Sequence, residues 1–241
     1  SMTSPSTTKT KPRVIALIAA AGQGTRLGAE VPKAYVELRG RTLLERSVRA
    51  LLASGVVDEV IVLVSPDMES EAARIIGRID AAPIRLVHGG SERADSVWAG
   101  LQAIPDDDAV VLIHDAARAL TPAAMVRDVA KRVLEGAPAA VPVVPVADTI
   151  KEVAADAVVS TPDRSRLRAV QTPQAFRLSA LRQANLDYWA EQPEFTATDD
   201  ASLMEWHGER VATVPGDTLA FKITTPIDLT LAHALTEETH D

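Results

Sequence analysis

The sequence predicts an α/β protein with a mostly parallel central sheet flanked by helices and a projecting β-arm. Short apolar runs rich in β-branched residues recur without polar alternation, as expected for strands that are buried on both faces. Amphipathic segments with helical periodicity separate these runs. Alternation of strand and helix is typical of parallel sheets, in which ligands bind at the carboxyl ends of the strands.

The first half of the chain carries the clearest elements. The predicted strands are residues 14–18, 60–64, 84–87, 110–113 and 139–144. The predicted helices between them are residues 42–54, 67–79, 92–104 and 121–135. In the last of these helices Thr121 precedes Pro122, which predicts an N-cap followed by proline at the first helical position.

The alternation changes after residue 147. Two short runs predict a β-ribbon, and we take residues 147–177 as a projecting arm, because an exposed ribbon commonly pairs with another chain. The ribbon strands are residues 149–153 and 157–160. The remaining predicted elements are helices at 178–189 and 199–207, a strand pair at 210–214 and 220–223, and a last helix from Pro226.

Composition excludes several classes of protein. The 241 residues carry 25 Lys and Arg against 33 Asp and Glu, a net charge of −8. This balance disfavours nucleic acid as a partner, because duplex binding relies on Lys and Arg. Apolar runs of about eight residues are too short to cross a membrane. The absence of Cys excludes disulfides and Cys-based zinc sites and fits a cytoplasmic protein.

We expect residues 13–241 to form a single domain. Residues 1–12 are predicted to be a disordered leader, because they combine Ser, Thr, Pro and Lys without an apolar core. Its first residue, Ser1 before Met2, is interpreted as a scar of expression.

The junction after the first strand carries the sharpest motif. Its glycines allow backbone N–H groups to approach a phosphate. The motif is neither a P-loop nor the dinucleotide fingerprint, because no Gly-Lys-Ser/Thr follows and the third glycine comes one residue late. Two cations in and after a glycine loop predict a triphosphate site, although an ordinary turn with solvated basic residues is the alternative. The residues are Ala20, Ala21, Gly22, Gly24, Arg26, Gly28 and Lys33.

Two further strand ends carry polar residues. Gly90, Arg93, Asp95 and Ser96 follow the third strand, with Ser91 as a candidate N-cap. An ordinary turn is the alternative there.

After the fourth strand come Asp115 and Arg118. An Asp at this position lies at the mouth of the ligand crevice, where it can hold Mg²⁺ against nucleotide phosphates. The histidines show no zinc-ligand spacing.

A late group of cations completes the candidates: Lys151, Arg164 and Lys222. The apolar neighbours of Lys222 predict a nearly buried sheet position, where a lysine needs an anion. Each of these cations alone is more often a surface residue.

Eight motifs, in register over about residues 14–234, carry a resemblance to a known family. They lie at residues 20–26, 32–33, 90–96, 114–118, 148–151, 171–174, 198–202 and 221–224. In this order they resemble the methylerythritol phosphate cytidylyltransferase family, nucleotidyltransferases with a Rossmann-like α/β fold. The family frequently has Gln after the lysine of the second motif, whereas this chain has Ala34.

The resemblance implies transfer of CMP from CTP to 2-C-methyl-D-erythritol 4-phosphate with release of pyrophosphate, in non-mevalonate isoprenoid biosynthesis, with Mg²⁺ as cofactor. It also implies a homodimer with exchanged arms, in which Arg164 acts in trans. The implied catalytic residues are Arg26, Lys33, Arg164 and Lys222. The implied substrate-binding residues are Ala20, Ala21, Gly22, Gly24, Gly90, Arg93, Asp95, Ser96, Asp115, Arg118, Thr149, Lys151 and Thr198, with Asp115 also as a metal ligand.

Two other functions stay open. A ribitol 5-phosphate cytidylyltransferase would share the glycine loop, the cations and the ribbon, so the CTP part of the prediction is firmer than the acceptor. A non-catalytic nucleotide sensor is disfavoured by Arg26, Lys33 and Lys222 together, because a pure binder gains little from cations directed at the α-phosphate.

Overall fold

Alternating strands and helices give the chain a mixed α/β architecture. The computed structural model describes residues 11–22 and 30–236. In chain order the elements are β1 (Val14–Ala19), β2 (Glu37–Leu38), β3 (Arg41–Thr42), α1 (Leu43–Ala53), β4 (Glu59–Val64), α2 (Glu69–Ile76), β5 (Ile84–His88), α3 (Arg93–Gln102), β6 (Val110–Asp115), α4 (Ala123–Leu134), β7 (Ala139–Pro145), β8 (Glu152–Ala154), β9 (Ala157–Ser160), β10 (Arg168–Val170), β11 (Gln174–Arg177), α5 (Leu178–Glu191), α6 (Asp200–Trp206), β12 (Val211–Pro215) and α7 (Pro226–Thr236).

The main sheet combines a parallel half with a mixed half. β6, β1, β4 and β5 are neighbours and run parallel. β11 lies antiparallel between β6 and β7. β10 pairs antiparallel with the end of β7, and β12 pairs with β7 in parallel. This arrangement confirms the predicted α/β class with a mostly parallel sheet.

The central strands are buried on both faces. In β1, Val14, Ala16 and Ile18 pack into one core cluster, and Ile15 and Leu17 pack into the cluster on the opposite face. The alternation explains why these strands have apolar residues at every position. Helices α1, α2 and α4 supply residues to the first cluster, and α3, α5 and α6 supply residues to the second.

The structure differs from the sequence prediction at two element ends. Thr121 is not an N-cap, because its hydroxyl donates to the Arg118 carbonyl over 2.7 Å and α4 begins after Pro122. Residues 220–223 are not a strand, because a short 3₁₀ helix ends at Ala220 and irregular backbone follows. Ile223 is apolar because it packs with Leu38 and Leu43 in a small separate cluster.

The predicted ribbon is present as the hairpin of β8 and β9, although its first strand starts three residues later than predicted. Its valines are exposed, with Val153 at 63% and Val159 at 60% of full accessibility. The later part of the predicted arm belongs to the main sheet, since β10 and β11 pair with β7 and β6. The projecting part is therefore shorter than residues 147–177.

Residues 1–10 of the predicted leader lie outside the described residues. Over the described ranges, none of the helices combines the length and the apolar character that a membrane crossing requires.

Close packing of α3 on the sheet depends on Gly100. A Cβ at this position would lie 2.6 Å from Cδ2 of Leu17 and 2.9 Å from Cδ2 of Leu63, both fully buried.

We predict that Gly100→Ala lowers the free energy of unfolding by about 1–3 kcal/mol through overpacking. Urea denaturation measures this change. Gly77→Ala is the control, because Gly77 is exposed and its added Cβ meets only helix carbonyls of α2. Equal losses for the two variants would contradict the packing argument.

Candidate active site

An open cavity of about 210 Å³ lies at the carboxyl ends of the parallel strands. Nine of the predicted site residues line it: Ala20, Ala21, Gly22, Lys33, Gly90, Arg93, Ser96, Asp115 and Lys222. The other lining residues are Ala19, Ala34, Ser91, Glu92, Ala116 and Ala117. The structure therefore brings together the ends of β1, β5 and β6 and the later lysine.

The Asp115 carboxylate is surrounded by cations. Its Oδ1 lies 3.3 Å from Nη2 of Arg93, and its Oδ2 lies 3.6 Å from Nε of Arg118 and 3.9 Å from Nζ of Lys222. Arg93 also contacts the buried Asp200, with Nη1 3.2 Å from Oδ2. In this cluster, two carboxylates thus face three cations beside the cavity.

The pKa values of the two carboxylates shift in opposite directions, although burial acts on both in the same way. Burial opposes the charged form of Asp115, but the nearby cations, Arg93 first, outweigh it and lower the pKa of Asp115. Burial raises the pKa of Asp200, and Arg93 offsets only part of this effect. Asp115 is therefore an anion that the fold stabilises, whereas ionised Asp200 costs stability.

A buried hydroxyl holds the backbone of Asp115. The Asp115 N–H donates to Oγ1 of Thr172 over 3.0 Å, and the same oxygen lies 2.9 Å from Nδ1 of His114. Burial lowers the pKa of His114 to about 4. His114 is consequently neutral at neutral pH and adds no charge beneath the site.

The loop before α3 approaches the end of β1 closely. A Cβ on Gly89 would lie 2.5 Å from Oγ of Ser96 and 2.8 Å from Cβ of Ala21, so only glycine fits there. Ser91 is not the N-cap as predicted, because Glu92 occupies that position without a side-chain cap. The uncapped first turn of α3 belongs to the cavity wall, where helix N–H groups favour anions.

Lys222 is half-exposed, with 47% of its side chain accessible, so the predicted nearly buried sheet position is wrong. The lysine lies on irregular backbone that Arg118 holds, since Nη1 of Arg118 donates to the Ala220 carbonyl over 2.8 Å. Ile223 N–H also donates to the Ala117 carbonyl over 2.9 Å. Arg118 thus contacts the site from behind and is not among the residues that line the cavity.

Other predicted residues lie away from the cavity of their own chain. Nη1 of Arg164 donates to the Ala147 carbonyl over 2.7 Å, and Nζ of Lys151 donates to Thr161 over 2.9 Å. Thr149 is exposed before the hairpin.

Two further predicted residues do not line the cavity, and two others are not described. Thr198 is exposed and precedes α6, and Asp95 is exposed on the first turn of α3. Gly24 and Arg26 lie outside the described residues, so their predicted roles stay predictions.

Besides the other lining residues named above, two residues that contact the charged cluster were not predicted as site residues. Asp200 and Thr172 lie within motifs noted in the sequence, at residues 198–202 and 171–174, but nothing local indicates their contacts. Their partners, Arg93 and Asp115, are more than 50 residues away along the chain.

The described cavity residues offer few protein ligands for Mg²⁺. Within the described ranges, no group of three or more His, Asp or Glu side chains is placed to hold a metal ion. Asp115 is one carboxylate at the cavity, and Mg²⁺ is commonly bound by one or two carboxylates together with substrate phosphates. The residues therefore fit a magnesium ion only when phosphates supply the other ligands.

Comparison with known proteins identifies the family. The family model described as 2-C-methyl-D-erythritol 4-phosphate cytidylyltransferase matches residues 14–238. The chain is 62% identical over 232 residues to a protein of that name from Corynebacterium efficiens, covering 93% of this chain and 94% of the relative. The chain belongs to this family.

Solved structures of the 2-C-methyl-D-erythritol 4-phosphate cytidylyltransferase family share the fold. A 4-diphosphocytidyl-2C-methyl-D-erythritol synthase from Anaerococcus prevotii has a TM-score of 0.81 at 30% identity and covers 95% of this chain and 100% of its own. The cytidylyltransferase from Thermus thermophilus has a TM-score of 0.76 at 36% identity, with coverage of 93% and 99%. The chain is accordingly a nucleotidyltransferase with the Rossmann-like fold expected from the resemblance.

Because the pKa values of Asp115 and Asp200 shift in opposite directions, replacing each carboxylate by an amide should change the stability differently. Asp115→Asn should lower the free energy of unfolding at pH 7 by about 1–3 kcal/mol, because an anion that the fold stabilises is lost. The difference from wild type should begin to fade as the pH falls below the ordinary Asp value of about 4 and should be lost below the lowered pKa of Asp115, where the folded wild type takes up its own proton. Urea denaturation over a pH series measures both effects.

Asp200→Asn is the matched control. Because the pKa of Asp200 is raised, its ionised form costs stability at pH 7, and an Asn oxygen still accepts from Arg93. This variant should be as stable as wild type or more stable. A loss equal to that of Asp115→Asn would contradict the assignment.

Proposed function

We propose that this chain transfers CMP from CTP to 2-C-methyl-D-erythritol 4-phosphate and releases pyrophosphate, as a step of isoprenoid biosynthesis. The observation that carries the proposal is the set of cations at the cavity, Lys33, Arg93 and Lys222, around the strand ends of a family member. Both substrates are phosphate esters, and a cavity lined by three cations is suited to hold them together.

The reaction needs positioning and charge stabilisation. An oxygen of the acceptor phosphate forms a bond to the α-phosphorus of CTP, and the bond to the bridging oxygen of the β-phosphate breaks. Pyrophosphate leaves with that electron pair. The proposed role of Arg26 and Lys33 is to stabilise the charge that develops on the phosphates in the transition state. No covalent enzyme intermediate is required.

The nucleotide is proposed to lie along the backbone of Ala20, Ala21 and Gly22, with Gly90 and Ser96 near cytosine and ribose. This placement is supported by the tight contact of the Gly89 loop with Ala21, which leaves small side chains and backbone at the cavity wall. Lys222 is proposed to contact the acceptor phosphate and the α-phosphate. Arg93 and Asp115 form the charged side of the same cavity.

Magnesium is proposed to bind with the triphosphate of CTP, with Asp115 as the protein carboxylate. When bound, the ion would offset negative charge on the phosphates. The three cations around Asp115 keep the carboxylate ionised.

We also propose a cytoplasmic homodimer in which the arm of each chain completes the partner's site. Support comes from the exposed apolar surface of the hairpin, including Val153 and Val159, which a second chain would cover. Thr149, Lys151 and Arg164 lie near this hairpin and do not line the cavity of their own chain. A trans role for Arg164 would bring it to the acceptor phosphate.

One assay tests the reaction and the acceptor. Pyrophosphate release with CTP should occur with 2-C-methyl-D-erythritol 4-phosphate and be at background with ribitol 5-phosphate. Lys33→Ala should reduce release by at least ~10²-fold with the fold intact, because a preorganised cation is lost. Release with ribitol phosphate alone would identify the other transferase, and CTP binding without release would indicate a sensor. Release by Lys33→Ala equal to wild type would exclude the role of Lys33.

Subunit mixing tests the shared site. Arg164→Ala and Lys33→Ala should each be weakly active, and a mixture that has exchanged subunits should recover about a quarter of wild-type turnover per chain. Random exchange makes about half of the dimers mixed, and each mixed dimer has one intact site. Exchange is confirmed by mass spectrometry of differently tagged chains. No recovery after confirmed exchange would contradict the trans arrangement.

A further inference from the structure

Two buried glutamines, one directly after β10 and one at the first position of β11, do not line the cavity. Gln171 is 5% exposed and Gln174 is 4% exposed, and each forms hydrogen bonds through both the oxygen and the nitrogen of its side-chain amide. Nε2 of Gln171 donates to the Asp217 carbonyl over 2.8 Å, and its Oε1 accepts from the Asp217 N–H over 3.0 Å. This pair of bonds fixes the backbone of Asp217 as a neighbouring strand would.

Asp217 begins the loop that carries Lys222. The preceding Gly216 donates to the Val143 carbonyl over 2.7 Å, and a Cβ on Gly216 would lie 2.4 Å from Oε1 of Gln171. The Asp217 carbonyl also accepts from Ala220 over 2.9 Å. The start of the loop is therefore held by Gln171, whereas its end is held by the contacts at Ala117 and Arg118 described above.

Gln174 makes an equivalent pair of bonds at the start of α6. Its Nε2 donates to Oδ2 of Asp199 over 3.0 Å, and its Oε1 accepts from the Ala201 N–H over 3.3 Å. Asp200 lies between these two residues and contacts Arg93. The second glutamine is thus linked to the second cation of the cavity through one intervening carboxylate.

We propose that Gln171 and Gln174 are positioning residues, which place Lys222 and Arg93, respectively, at the cavity through these two pairs of hydrogen bonds. Neither glutamine contacts substrate. The inference rests on the proposed roles of Lys222 and Arg93 in the reaction. The two glutamines of the motif at residues 171–174 therefore have separate roles, because the cations that they place contact different oxygens of the Asp115 carboxylate.

The test is a pair of double-mutant cycles on kcat/KM for pyrophosphate release. Gln171→Met and Gln174→Met keep the side-chain length and remove the hydrogen bonds. Gln171→Met should lose ~10-fold or more in the wild-type background, as expected for a displaced catalytic group, and less than ~2-fold further in the Lys222→Met background. Gln174→Met should lose activity in both the wild-type and the Lys222→Met backgrounds. Its loss should not add to the loss caused by Arg93→Met.

Hydrogen exchange gives a readout besides activity. The amide of Asp217 should exchange faster in Gln171→Met with the amide of Ala201 unchanged, and the reverse should hold for Gln174→Met. Gly216→Ala is an independent variant, because it displaces Oε1 of Gln171 from the loop side, and it should show the same coupling to Lys222. It keeps the inference testable if a methionine variant does not fold.

Separate outcomes overturn the inference and the proposed roles. Wild-type activity of Lys222→Met or of Arg93→Met would overturn the role of that cation and, with it, the matching glutamine assignment. Suppose that Lys222→Met is impaired and that Gln171→Met loses the same factor of activity in the wild-type and Lys222→Met backgrounds. This result would overturn the inference and leave the proposed role of Lys222 intact. Equal acceleration of exchange at both segments by either methionine variant would indicate a general structural role and would also overturn it.

Discussion

Three cations from different parts of the chain, Arg93, Arg118 and Lys222, meet at the carboxylate of Asp115. Because like charges repel one another, such a group needs an anion at its centre. The anion is fixed from two sides. Asp115 is the last residue of β6, in register with Ala19 of β1, and its N–H donates to the buried hydroxyl of Thr172. The cavity keeps its charge because the sheet edge holds this carboxylate.

The antiparallel strand β11 and the residues just before it link the two halves of the site. They insert between the parallel half of the sheet and β7, and their buried side chains reach both directions. Thr172 contacts Asp115, while Gln171 and Gln174 contact the segments that carry Lys222 and Asp200. One short segment thereby bonds three elements of the site without lining the cavity, which explains how residues remote in sequence can share one geometry.

The sequence was sufficient to predict the strands and the polar residues at their carboxyl ends, because burial on both faces leaves a continuous apolar pattern. It was insufficient where two environments produce the same pattern. The neighbours of Lys222 are apolar because Ile223 packs with Leu38 and Leu43. In the sequence this apolar pattern is the same as that of a buried strand. Asp200 was missed for a different reason: its role is defined by Arg93, over 100 residues away, and not by local spacing.

The net charge of −8 describes the whole chain and not the cavity. Many acidic side chains are engaged elsewhere, such as Glu45 with Arg49 and Glu59 with Arg85. Because exposed charges are screened beyond about 8–10 Å at physiological ionic strength, the acids of distant surfaces contribute little at the strand ends. The field there is set mainly by the residues within that distance, which include Lys33, Arg93, Arg118 and Lys222. An acidic protein can therefore gather several cations at one site for two phosphate substrates, provided that its fold, and not its composition, decides which charges are neighbours.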